Sequence, residues 1–233
     1  MNKIHNLLIA TVSALTMILA GCAGEPATQG GTAAPVSNTG FLSDYSKLRP
    51  LEGTDGTYRY IDSNANLRSY TKILIDPVQV FVTPSPDYKG LQPDMLKRMA
   101  DAFRMEFVGA MLSGYQVVEK PGPDVLRVRL AITGVQPVKP DLGVTDFIPI
   151  KAVFNVARSA AGAAPQVAEM SAEAEVLDAN DRVVGAAVST RKASKTLPQG
   201  EKITWTDLQV IAATWAKGLR QQIDSARGYA AKR

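Results

Sequence analysis

Thiol and imidazole side chains are almost missing from this 233-residue chain, which holds one cysteine, Cys22, and one histidine, His5. A single thiol builds no intrachain disulfide framework, and one Cys with one His makes no structural zinc site. Long apolar runs are scarce too. The run from Leu7 to Leu19, broken by Thr11, Ser13 and Thr16, is too short and too abruptly ended for a transmembrane helix.

The residues around that run have the order of an export signal: Lys3 as the basic region, the apolar stretch, then the small Ala20 and Gly21. Leu19-Ala20-Gly21-Cys22 predicts cleavage ahead of Cys22 and lipid attachment to its thiol. Residues 1–21 are therefore expected to be a lipoprotein signal peptide. Their removal takes His5 and one of the 26 basic side chains, Lys3, and none of the 22 acidic ones, leaving a net charge of +3. The mature chain then has no imidazole for a Ser-His-Asp triad, and its thiol, bound as a thioether, is lost as a nucleophile. Carboxylate, Lys or Tyr chemistry remains open, but no spacing argues for it, and the expectation is a chain that is not an enzyme, with no catalytic residue, cofactor or metal site. Two or three acyl chains, at about 0.8 kcal/mol per buried methylene, would anchor it permanently to a membrane.

No block of one charge is present either. The basic residues are spread along the chain, the pattern of a solvated mixed surface. The mild excess could favour anionic lipid headgroups or an acidic partner; nucleic acid is not an expected partner of an exported protein.

From Ala23 to Thr39 the composition turns to Gly, Ala, Pro, Thr and Ser with one charge, Glu25, so residues 22–39 read as the lipidated Cys and a flexible linker. A coil of that length spans roughly 20 to 25 Å, which keeps the rest of the chain close to the membrane. Residues 40–233 are long enough for one domain with a substantial core.

The fold class expected is α+β, with an antiparallel or mixed sheet of about five strands packed against two long helices. A polar stretch up to Ser69 carries few regular signals and is expected to wrap the surface. Ile73 and Ile75, then Val78, Val80 and Val82 alternate with opposite parity on either side of Asp76-Pro77, so a bulge or edge break is expected there. Residues 93–113 carry helical periodicity, with Leu96, Met99, Phe103, Phe107 and Ala110 on one stripe, Pro93 at its first position and Gly114 as its stop. Strands are expected over 115–119 and 124–135, the second alternating Leu126, Val128, Leu130 and Ile132 with Arg127 and Arg129, a pair expected on a solvated face first and as an anion site second. A hairpin over 167–191 turns at Asp178-Ala179-Asn180-Asp181. Pairing residues whose numbers sum to about 360 puts Ala172 opposite Val188, Ala174 opposite Ala186, and Glu169 opposite Arg191 on the outer face. The inner face is then lined with small residues that a helix must approach closely. The last helix, 205–227, has Thr204 as its N-cap and Asp207 three residues on. Its buried stripe includes Leu208, Ile211, Trp215, Leu219 and Ile223. Trp205 and Trp215 are expected as core anchors first and ligand contacts second.

Residues 139–166 are harder to place. Phe147-Ile150 leads into an Ala-, Val- and Phe-rich run with two cations, Lys151 and Arg158. Burial explains it, and an amphipathic docking element also fits; Phe147, Ile150, Phe154 and Arg158 are the candidate interface residues.

Gly40-Phe41-Leu42-Ser43-Asp44-Tyr45-Ser46-Lys47-Leu48, followed by Tyr70-Thr71-Lys72 and Ile75-Asp76-Pro77-Val78, resembles the bacterial lipoproteins grouped as domain-of-unknown-function family 3313. The likeness covers about 190 residues and implies an envelope lipoprotein with one domain; no activity or catalytic residue comes with it. Asp44 and Asp76 beside aromatic or Pro residues fit turn caps, and would serve a carboxylate hydrolase only by converging in a pocket. In a diderm cell, Ala23 rather than Asp after Cys22 implies the outer membrane, facing the periplasm. The leading expectation is a non-enzymatic accessory or interaction module for an envelope protein assembly. The alternative is a binding module for a lipid, glycan or small molecule.

Overall fold

Period-two alternation of Leu126, Val128, Leu130 and Ile132 gives β6 (Val125–Val138) one wholly apolar face, and the sheet is built outward from it. The computed structural model describes residues 38–54, 56–81, 93–138, 165–198 and 201–228, all within the unit Ala34–Arg233. The other strands are β1 (Arg49–Pro50), β2 (Thr57–Ile61), β3 (Lys72–Ile75), β4 (Gln79–Val80), β5 (Gln116–Val118), β7 (Gln166–Leu177) and β8 (Val183–Leu197). The helices are α1 (Pro93–Leu112) and α2 (Trp205–Ala226). The sheet runs β1-β2-β8-β7-β6-β3-β5, with β4 also paired to β6. Strand β3 pairs in parallel with both β5 and β6, and β4 pairs in parallel with β6, while β6, β7, β8, β2 and β1 form an antiparallel run.

The α+β class and the two long helices match the expectation, but among the described residues the sheet has eight strands rather than about five. The difference comes from short edge strands. Thr57–Ile61, in the stretch expected to wrap the surface, pairs along β8 from Thr57↔Ser189 to Ile61↔Gly185 and carries β1 on its far side. The parity slip at Asp76-Pro77 is real: Ile75 pairs Val128 and Gln79 pairs Ala131, four steps against three.

A second register difference has larger consequences. The expected sum of 360 holds only at Leu177↔Val183, beside a turn where Asp181 takes φ 57°. A bulge comes at once, and from Val176 back to Glu169 the hairpin pairs one residue further on, with Val176↔Gly185, Ala174↔Ala187 and Ala172↔Ser189, before a second shift between Val167 and Glu169. One residue of slip moves a whole strand's side chains to the other face. Ala186 and Val188 therefore leave the inner face, and Arg191, opposite Met170 rather than Glu169, joins it.

Both helices pack on the face that carries Ile73, Leu126, Leu130, Ile132 and Met170. Phe103 and Met111 of α1 and Leu208 of α2 are fully buried there, each contributing roughly 1.5–3 kcal/mol by the area removed from water. Arg220 of α2 ties the helices together: its Nη1 donates to the carbonyl oxygen of Ala110 (3.1 Å) and to Ser113 Oγ (2.9 Å), a cation at the negative end of α1. Helix α2 starts as expected. Thr204 is extended (φ −110°), and Asp207 Oδ2 accepts from its N–H (2.9 Å) and hydroxyl (2.7 Å).

Two candidate sites on opposite faces of the sheet

The face away from the helices carries Arg127, Arg129, Glu173 and Glu175. Glu173 and Glu175 are 1 % and 0 % exposed, and a buried carboxylate needs charge and hydrogen-bond partners to stay ionised. The partners come from the N-terminal segment that sequence reasoning singled out. Gly40 turns the chain with φ 80°, a conformation that favours glycine, so that Phe41 and Leu42 lie on the sheet with Ala131, Ala186 and Val188. Thr39 Oγ1 (2.9 Å) and Tyr45 OH (2.5 Å) donate to the two oxygens of Glu173. The N–H of Ser43 (2.9 Å) and the guanidinium of Arg129 take the two oxygens of Glu175. Arg129 also lies 4.9 Å from the Phe41 ring centroid, and Tyr45 OH closes the turn by accepting from the N–H groups of Phe41 and Leu42. Every oxygen of the two carboxylates is occupied. The cluster is a clamp that holds the segment to the sheet.

The expected solvated pair Arg127 and Arg129 is corrected by these contacts. Arg129 is consumed by Glu175, and Arg127 Nη2 meets Asp76 at 2.8 Å, with Asp181 at 3.6 Å from its Nη1. Asp44 does not converge with Asp76. Its Oδ1 accepts from the N–H (2.9 Å) and hydroxyl (2.6 Å) of Ser46, which hold its carboxyl below the ordinary value. The remaining motif is scaffold as well: Tyr70 OH accepts from Ala179 N–H (3.2 Å) at the β7–β8 turn, and Lys72 pairs with Asp124 (3.0 Å). Among the described residues no group of three or more His, Cys, Asp and Glu is placed to hold a metal ion.

The helix face is different where it approaches β2 and β8. Ala172, Ala174, Gly185, Ala187 and Ser189 project toward α2, and the helix does not close on them. A cleft of about 230 Å³ is left, apolar over most of its wall. Trp215, Gly218 and Leu219 of α2 line it opposite the small residues, and Phe103 and Phe107 of α1 reach its inner side. Trp215 stands edge-on to Phe103, and its Nε1 donates to Ser189 Oγ (3.0 Å), which also shares a hydrogen bond with Thr57 Oγ1 (2.7 Å). Two half-buried cations, Arg59 and Arg191, complete the lining. The expected close packing of a helix on small residues is thus only partly made, by the Trp215 ring. Gly218 leaves space where a side chain would fill it: nothing lies within 4 Å of an added Cβ.

Sequence reasoning missed this cleft because the slipped register put Arg191 outside, and it missed Glu173 and Glu175 because their cover comes from more than 100 residues away. Cys22 and the candidate interface residues Phe147, Ile150, Phe154 and Arg158 lie outside the described residues. No helix among the described residues is long and apolar enough to cross a membrane.

The family described as "Protein of unknown function (DUF3313)" matches residues 37–219. The chain is 29% identical over 174 residues to the "Uncharacterized lipoprotein YdcL" of Escherichia coli K12, covering 73% of this chain and 75% of that one. Among solved structures, the PelC dodecamer of Paraburkholderia phytofirmans is similar at TM-score 0.35 and 11% identity, over 73% of this chain and 95% of that one. A putative neuraminyllactose-binding hemagglutinin homolog of Helicobacter pylori is similar at TM-score 0.38 and 10% identity, over 77% and 94%.

Proposed function

The chain belongs to the DUF3313 family, and from that premise we propose that it is a lipid-anchored envelope lipoprotein whose folded domain is a binding module rather than an enzyme. The observation that carries this reading is the cleft between α2 and the β2–β8 edge: concave, mostly apolar, with a few polar groups on its wall, the general form of a small-molecule site. The buried carboxylates do not compete for it, since Glu173, Glu175, Asp178 and Asp207 are held by Tyr45, Arg129, Arg182 and Lys195. Cys22 is the proposed lipid attachment point, with residues 1–21 as the signal, 22–39 as the tether and 40–233 as one periplasmic domain at the outer membrane. Cys22→Ala should release the chain from the membrane fraction and abolish palmitate labelling.

Native mass spectrometry of the Cys22→Ala chain tests the cleft: a small molecule should remain bound, and Gly218→Leu, which fills the space, should lose it. Both chains appearing only at their own ligand-free masses would contradict the reading. A second reading, an accessory module docked on an envelope protein, is favoured by Met105, Leu112 and Val210, which are 58, 62 and 68% exposed on the two helices. In-cell crosslinking should then capture one discrete envelope protein, and charged residues at Met105 and Val210 should abolish the crosslink.

A further inference from the structure

We infer that the cleft takes a single-chain amphiphile with a carboxylate head, its chain against Trp215 and the small residues of β7 and β8 and its head at Arg59 and Arg191. This rests on the cleft being the binding site. Charge is left over on the cleft wall. Arg127, Arg129, Arg182 and Arg220 each meet a carboxylate. Arg59 and Arg191, both half-buried on the cleft wall, meet none among the described residues, and the Nε of Arg191 is buried with no hydrogen-bond partner there. Two half-buried cations without a counter-charge on the cleft wall suit an anionic oxygen from outside.

The acidic residues nearby do not supply that oxygen. Asp62 lines the cleft, but its Oδ1 accepts from Asn64 N–H in a local turn (2.9 Å), and the Glu173 carboxylate is turned to the opposite face by Thr39 and Tyr45. The cleft, about 230 Å³, gives room for a single acyl chain, and its floor of Ala and Gly faces an aromatic ring, which suits an unbranched one.

The position of Trp215 provides the test. The chain has two tryptophans, and Trp205 does not line the cleft, so Trp205→Phe in the Cys22→Ala chain leaves Trp215 as the only reporter. The probes are 11-bromoundecanoate and its neutral counterpart 11-bromoundecanol, whose heavy atom quenches the indole on contact. The acid should quench saturably and bind at least ten-fold tighter than the alcohol. Arg59→Gln with Arg191→Gln should erase that margin while the alcohol still binds. Equal affinities in the arginine-bearing chain, or a margin that survives the double substitution, would overturn the anionic head and leave the cleft reading standing. No quenching of Trp215 by either probe would overturn both. The acid–alcohol comparison uses the unsubstituted arginines, so it decides even if the glutamine pair does not fold.

Discussion

The two faces of one sheet solve the same problem in opposite ways. Beneath the N-terminal segment, two carboxylates are buried and each finds its partners: Glu173 with Thr39 and Tyr45, Glu175 with Arg129 and Ser43. Beneath α2, the residues are small and apolar, a cavity remains, and two arginines meet no carboxylate among the described residues. Polar density on the first face thus marks structure, and the unfilled region on the second is the proposed site. A buried ionic cluster is often read the other way; here complete occupancy of its oxygens argues for a clamp.

The largest effects are expected at the clamp. Glu175→Ala should leave Arg129 uncompensated and cost about 3–5 kcal/mol in urea denaturation, whereas Glu175→Leu with Arg129→Met should recover much of it. If the single substitution costs nothing, the clamp is not structural. Phe41→Ala, which removes the ring packed on Arg129 and edge-on to Phe81 (6.1 Å), should cost about 3 kcal/mol by the same assay.

On the helix side the effects are smaller. Lys195 Nζ, 2.7 Å from Asp207, and the cap at Thr204 hold the Asp207 carboxyl at about 2, below its ordinary 3.8. A depressed carboxylate stabilises the fold above its unfolded value and loses that contribution as pH falls from about 4 through 2. Asp207→Asn should therefore cost about 1–2 kcal/mol at neutral pH, with the deficit shrinking toward pH 2, as thermal melts across that range would record. Smallest, and opposite in sign, Gly218→Ala should raise stability by about 0.5–1 kcal/mol, since a helical glycine gives way to a better helix former with no atom within 4 Å of its Cβ. A loss of stability there would mean the cleft is closed in solution.

Much of the scaffold was legible because its signals are local. The stripes of α1 and α2, the Thr204–Asp207 cap, the alternation of β6 and the extra residue at Asp76-Pro77 all come from neighbours in sequence. The sites were not legible, for two physical reasons. The face carrying Arg191 depends on one bulged residue after the Asp181 turn, which changes the parity of the strand without changing its pattern. The burial of Glu173 and Glu175 depends on a segment that reads as a motif but not as a lid: alternating Ala and Glu in β7 looks like an ordinary solvent-facing edge until Phe41 and Tyr45 are laid over it. Even β2 escaped notice, because Thr57–Ile61 is short and becomes a strand by pairing with β8.

Amide chemical-shift mapping of the Cys22→Ala chain titrated with undecanoate decides whether the helix-side cleft is the working face and the clamp structural. Saturable shifts are expected at Gly185, Ala187, Ser189 and Gly218, with Gly40–Ser46 and Glu173 unmoved. Shifts centred on Phe41, Tyr45 and Glu173, with the cleft silent, would contradict it.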